Sequence, residues 1–484
     1  MAIPQSSTAK RNIVSAVKQR SYQEIIAYLD SHWQVKAHDE AALARVQKLD
    51  RKLGTVSQQI PTIIVTGTNG KSLTAHFTAK LLQAEGLTVG TFYSPHILTY
   101  NERFSVNHET IQNKTFTDIG NIVLDAVESL EVEAHSQEIL TLMSLIHFKK
   151  SNANVAILEA RAGGIYDPVN ICKAKIVGIT RATPELATTT PEEIRSFIFE
   201  CLGTVHTGTS VVSGDQVKAN LQLMEELAAQ RGGQWVMPIR KLAPLAYPFE
   251  QLHGRCAALA ERIAHLFVNN NEAQEKTDKK NSLLRKEKGK RGRPTIAEKH
   301  DAQRNPRKNI SQFWKETISD LPARFQILDK EKPSILLDNA SNLDAFENIL
   351  LGVRLLHYQK PLKGSNGKEG LGLIIGASGD TTLQGEEFLR AVRYFWKKTP
   401  GKVYLCPLNP NENPSNNEDG KWNVAEIAKG LKAHKVAVKT FDSFAAAFED
   451  AKKDIDERYG LLVITGSNTV ISEYWRHKGM KKLS

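Results

Sequence analysis

Six consecutive residues, Gly67-Thr68-Asn69-Gly70-Lys71-Ser72, carry the densest chemistry in the chain. The apolar run "PTIIVTG" leads into them and reads as a buried strand; "SLTAHFTAKLLQAEG" follows and reads as a helix closed by Gly86. A turn between such a strand and helix points several backbone N–H groups at one spot, where the helix dipole adds positive potential. Gly67 and Gly70 let backbone approach a phosphate closely, with Thr68 and Asn69 between them. Lys71 would place its charge on β and γ oxygens, and Ser72 offers a hydroxyl to Mg2+. The match to GxxxxGK[ST] is partial, because Val65 stands five residues before Gly70. A glycine turn with a solvent-facing lysine is the competing reading.

A second candidate is Glu159, which ends the apolar run "NVAILEA". Carboxylates at the carboxyl edge of a parallel strand sit where α/β proteins place ligands. The elements that must hold these groups follow a regular order. "SYQEIIAYLDSHW" and "DEAALARVQKLDRKLG" have helical spacing; "LTVGTFYSPH", "NVAILEA" and "AKIVGIT" read as strands, and "EILTLMSLIHFKKS" as a helix. "CAALAERIAHLFV" reads as a further helix. Later, "SILLDNA", "GLGLIIGAS", "GKVYLCP", "VAVKTF" and "GLLVITGS" read as strands separated by helices such as "FAAAFEDAKKDI". Strands alternating with helices predict α/β architecture with a doubly wound, mostly parallel sheet, then a smaller α/β domain. The expected division is 1–267, a basic and disordered linker at 268–318, and 319–484.

The 484 residues give room for two or three domains. Cys172, Cys201, Cys256 and Cys406 are far apart and form no CxxC pair, the usage of reduced thiols in a cytoplasmic protein. No apolar run reaches the ~18 residues a membrane span needs, and the N-terminus lacks the apolar core of a secretory signal. Net charge is +11, but 13 Lys/Arg against 6 Asp/Glu fall within 271–310, so +7 of it belongs to one polar stretch. That stretch contains Arg291-Gly-Arg293-Pro294, similar to the core of an AT-hook, a minor-groove element. A solvated loop accounts for it more simply, and nucleic acid is not the expected partner.

"GTNGK" followed by "SPHILTYNERFSVN" resembles the folylpolyglutamate synthase/dihydrofolate synthase family of the Mur ligase superfamily, which reads GTNGKGS and then SPHL…NERI. The resemblance continues through "SQEILTLMSLIHF" and "LEARAGGIYDPVN", and resumes at "LPARFQ", "LDNASNLDA" and "LLVITGS". It implies a P-loop ATPase domain followed by a smaller Rossmann-like domain. It implies ATP-dependent amide formation: a folate-type acid is phosphorylated on its carboxylate and the amine of L-glutamate displaces the phosphate. Carried over by position, Lys71 would hold phosphates, and Ser72, Ser94 and Glu159 would be oxygen ligands for Mg2+. Glu138 and Thr141 would lie on the substrate side with Ser94. Arg324, Asp338 and Ser341 would close over the ATP from the second domain, with Lys71, Glu159 and Asp338 as the catalytic set. The resemblance implies a monomer, since relatives often act as monomers, and nothing in the sequence argues otherwise.

Each has a bland alternative: Ser94 capping a turn, Glu138 a solvated helix residue, Asp338 a strand-end turn residue. The chain also departs from the family. Lys71 is followed by Ser72-Leu73 in place of Gly-Ser. Glu185-Leu186 stand at an Asp-His pair, and Cys201 at a lysine whose carbamate helps hold a second Mg2+. Leucine cannot ligate, and thiol is a poor partner for Mg2+. Cys256 stands where an adenine-contacting amide is expected, Ser341 for a histidine, Leu343 for a proline and Ile165 for an arginine. The second reading is therefore a nucleotide-binding relative that does not ligate.

Overall fold

The computed structural model describes residues 19–33, 39, 41–161, 165–183, 189–272, 282–284, 309–317, 321–377, 381–408 and 422–483. Eight strands build the first sheet: β1 Thr62–Thr66, β2 Val89–Phe92, β3 Phe104–Val106, β4 Glu109–Thr110, β5 Val155–Glu159, β6 Ile176–Ile179, β7 Ser210–Ser213 and β8 Gln234–Trp235. Their order is β4-β3-β2-β5-β1-β6-β7-β8. All neighbours run parallel except the β2-β3-β4 edge. β1 pairs with β5 on one side and β6 on the other, with Val65 opposite Glu159. All five residues of β1 are buried, as a parallel strand covered on both faces requires. Helix Lys71–Ala84 packs on helix Phe249–Glu272, and Gly86 ends the former at φ 85°.

The second sheet holds β9 Gln326–Leu328, β10 Ser334–Leu337, β11 Leu371–Ile375, β12 Lys402–Leu405, β13 Ala437–Thr440 and β14 Leu461–Thr465. The order is β13-β12-β11-β14-β10-β9, and only β9 is antiparallel. Every strand named from the sequence is present. The hairpin β3-β4, strands β7 to β9 and several helices were not anticipated, because short or edge segments carry too few apolar residues to show a period.

Part of the segment read as linker is built into the first lobe. Leu283, Leu284 and Trp314 are buried in the same apolar cluster as β1. Helix Ile310–Glu316 carries Trp314, whose ring meets Phe77 edge-on at 5.3 Å. The linker reading does not extend to these residues; isolated apolar anchors in a charged stretch give no periodic signal. The Arg291-Gly-Arg293 motif lies outside the described residues.

The lobes also interlock. Ile97, from the loop after β2, is buried in a cluster of second-sheet residues that includes Ile335, Leu337 and Ile464. Its carbonyl accepts from Ser472 Oγ.

Candidate active site

The chain leaves β1 through Gly67 at φ 120°, where a side-chain Cβ would stand 2.2 Å from Thr180 Oγ1 and 2.9 Å from the Arg181 carbonyl. Only glycine fits both the backbone angle and that space. The loop is pinned by Thr68 N donating to the Arg181 carbonyl at 2.8 Å. Gly70, at φ 85°, caps helix Lys71–Ala84 without a side-chain acceptor. The first-turn N–H groups are therefore presented at the carboxyl end of β1, the arrangement that attracts anions. Lys71 Nζ donates to the Gly67 carbonyl at 2.8 Å, which holds the ammonium across the loop.

Beside the loop, Ser72 Oγ donates to Glu159 Oε1 at 3.1 Å and Ser94 N to Glu159 Oε2 at 3.2 Å. Glu159 is 2% exposed. Burial raises its pKa, opposed by the charges of Lys71 and Arg324 and by those two hydrogen bonds. Arg324 Nη2 donates to Ser72 Oγ at 3.0 Å, so an arginine of the second lobe reaches the loop of the first. Burial lowers its pKa, opposed by Glu159 and Asp338.

Asp338 follows β10 and accepts from Phe325 N at 2.7 Å and Ala340 N at 3.0 Å. Burial raises its carboxyl to about 6 against the pull of Arg324 and those hydrogen bonds. It is thus the strand-end turn residue of the bland reading and a neighbour of Arg324 at once. Ser341 faces the same cavity, and its carbonyl accepts from Thr381 Oγ1 at 2.6 Å.

Asn342, Asp344 and Arg181, not singled out in the sequence, join the lobes around Asn69. Asn69 and Asn342 exchange amide hydrogen bonds at 3.0 and 2.9 Å. Asp344 accepts from Asn69 Nδ2 at 2.8 Å and pairs with Arg181 at 2.9 Å. Asn342 and Asp344 lie inside the quoted "LDNASNLDA", but only the fold shows that they meet the glycine loop. A cavity of about 660 Å³ opens among these groups, lined by segments that follow β1, β2, β5, β6 and β7 of one sheet and β10 and β14 of the other. Ligands of α/β proteins bind at such carboxyl ends.

Lys71, Ser72, Ser94, Glu159, Arg324, Asp338 and Ser341 all line this cavity, with Thr68, Asn69 and Gly70. Glu138 and Thr141 do not. Glu138 is buried and paired with Arg45 at Nε (3.2 Å) and Nη2, so it is neither solvated nor beside the loop. Thr141 Oγ1 donates to the Gln137 carbonyl one turn back in its own helix at 2.8 Å. Asp39, His135 and Glu138 converge closely enough to hold a cation, yet the Arg45 guanidinium already sits among them. Cys256 reaches the loop, 2.7 Å from where a Cβ on Gly70 would stand. Cys201 is fully buried in the apolar cluster beneath the sheet and accepts from Thr66 Oγ1 at 3.3 Å. Leu186 and Glu185 lie outside the described residues.

The donor set fits a hard divalent cation. Glu159 is bonded by the Ser72 hydroxyl and by the backbone N–H of Ser94, and the side chains of the three offer only oxygen, which is what Mg2+ takes while retaining waters.

No family model matches the chain. It is 26% identical over 343 residues to a dihydrofolate synthase/folylpolyglutamate synthase of Bacillus subtilis, covering 68% of this chain and 75% of that relative. A Mycobacterium tuberculosis folylpolyglutamate synthase complexed with ADP superposes at TM-score 0.71 with 17% identity, covering 96% and 99% of the two chains. A bifunctional folylpolyglutamate synthase/dihydrofolate synthase of Yersinia pestis, complexed with AMPPNP and Mn ion, superposes at TM-score 0.68 with 20% identity, covering 96% and 100%. Motifs, sequence relatives and fold agree in one likeness: the chain is similar to folylpolyglutamate synthase/dihydrofolate synthases, at the low identity of a divergent relative.

Proposed function

We propose that this chain is an ATP-dependent amide ligase that adds L-glutamate to a folate-type carboxylate, tetrahydrofolate polyglutamate or dihydropteroate, through an acyl phosphate. The observation that carries this reading is the convergence of Lys71, Ser72 and Glu159 of one lobe with Arg324 and Asp338 of the other on one cavity. Phosphoryl transfer asks mainly for positioning and for neutralisation of charge on the transferring group. Lys71 and the helix N-terminus supply that for the terminal phosphates, and Arg324 supplies it from the opposite side. Ser72, Ser94 and Glu159 would hold Mg2+, which withdraws charge from phosphate oxygens when bound.

In the first step an oxygen of the acid attacks the γ phosphorus and the bond to the ADP oxygen breaks. In the second, the glutamate nitrogen attacks the acyl carbon, the bond to phosphate breaks and the nitrogen loses a proton. Asp338, with its carboxyl near 6, is suited to take that proton close to neutral pH. Cys201 lies in the apolar core, so a second ion would have to be held without it. The non-ligating alternative rests on Cys201 and Leu186; the intact pairing of Glu159, Ser72 and Arg324 favours turnover. We take the protein to act as a cytoplasmic monomer on small molecules. Among the described residues no helix is long and apolar enough to cross a membrane.

The test is phosphate release by the full chain given ATP, Mg2+, L-glutamate and either dihydropteroate or tetrahydrofolate. Release should require both acid and glutamate, and Lys71→Ala should reduce it to background while the protein stays folded. Release that ignores the acid, or persists in Lys71→Ala, would contradict the reading.

A further inference from the structure

Arg103, from the loop after β2, is fully buried. Its Nε donates to His96 Nδ1 at 3.0 Å and its Nη1 to Gln137 Oε1 at 3.1 Å. Among the described residues the remaining Nη2 has no acceptor, and neither does Nε2 of the same Gln137 amide. His96 supplies no negative charge: its Nδ1 accepts from Arg103 and so carries no proton, leaving a neutral imidazole. The carboxylates that act on Arg103, Glu159 and Glu102, do so through space without a hydrogen bond. Burial pulls the guanidinium down to about 10, which leaves it cationic at neutral pH. Two arginines lie against the Trp33 ring, Arg103 Cζ at 5.1 Å and Arg161 Cζ at 5.3 Å from its centroid. Trp33 and Gln137 are only partly buried, which gives the group an open edge.

A buried donor left unmet is destabilising, the more so when it is charged. A buried cation without a partner is costlier still. Two adjacent donors, one on a cation, match the two oxygens and negative charge of a carboxylate. A neutral carbonyl would meet the donors and leave the charge uncompensated. We propose that Arg103 Nη2 and Gln137 Nε2, with Trp33 as an aromatic wall, form a subsite for a carboxylate of the acid substrate. This rests on the ligase reading above. It assigns the recognition of that acid to residues outside the phosphate loop, with Gln137 in the first turn of helix Ser136–Lys150.

Gln137→Glu tests it, because the isosteric carboxylate would pair with Arg103 internally and repel a substrate carboxylate. Dihydropteroate and tetrahydrofolate are titrated calorimetrically into the full chain with AMPPNP and Mg2+. Gln137→Glu should melt no lower than wild type and bind AMPPNP equally, with the acid Kd raised at least 10-fold. Gln137→Leu, which only removes a donor, should raise it by less. Equal acid Kd in wild type and Gln137→Glu overturns the subsite, as does failure of wild type to bind either acid. Equal losses in both variants would place a neutral acceptor there and overturn the carboxylate. Wild type that binds acid but releases no phosphate would defeat the ligase reading, while the Kd comparison would still decide the subsite.

Discussion

Asp338 and Glu159 are carboxylates withdrawn from water, and each is kept usable by a different device. Glu159 is held by a hydroxyl, a backbone N–H and two nearby cations; Asp338 is held by two backbone N–H groups and Arg324. The Asp338 carboxyl is raised from 3.8 to about 6. The folded state therefore binds its proton more tightly than the unfolded chain does, so stability falls as pH rises through that window. The loss is at most about 3 kcal/mol. Urea unfolding at pH 4 and pH 6.5 should show Asp338→Asn losing less stability across this range than wild type. An equal pH dependence in the two proteins would mean that Asp338 titrates normally. At this scale the sequence showed residue types but not partners. Glu159 stood out because it ends an apolar strand. Asn342 and Asp344 did not, because their meaning lies in a hydrogen bond to Asn69 some 270 positions away.

At the scale of elements the decisive feature is a strand, a glycine turn and a helix whose free N–H groups face the cavity. That much could be read directly, because a short apolar run followed by glycines and helical spacing has few other solutions. Two glycines with similar backbone signs separate local strain from lack of space. Gly86 has φ 85° and open space around it, so Gly86→Ala should cost about 1–2 kcal/mol and leave activity intact. Gly67→Ala meets Thr180 and Arg181 as well. It should cost more than Gly86→Ala and abolish nucleotide binding. Denaturant midpoints and AMPPNP titration of the two variants check this. Glu138 and Thr141 show where pattern misleads: both sit on a helix of the right type, but burial turns Glu138 toward Arg45 and Thr141 toward its own backbone.

At the scale of the molecule, chemistry depends on two lobes meeting at the carboxyl ends of their sheets. Asn69, Asn342, Asp344 and Arg181 join them through polar contacts, and Ile97 joins them through an apolar plug. Ile97→Ala should cost about 2–5 kcal/mol and lower kcat far more than it weakens AMPPNP binding, because the nucleotide loop belongs to the first lobe. Chemical unfolding with steady-state kinetics measures both. The pairing of the lobes was not legible beforehand, since Ile97 and Leu98 are a short apolar pair with no period to say what they pack against. The account's central claim is that the acid is activated by phosphorylation, and oxygen tracing tests it most directly. With the substrate carboxylate labelled by 18O, the phosphate released on amide formation should carry one 18O atom. Unlabelled phosphate accompanying the amide product would contradict the acyl phosphate and the account with it.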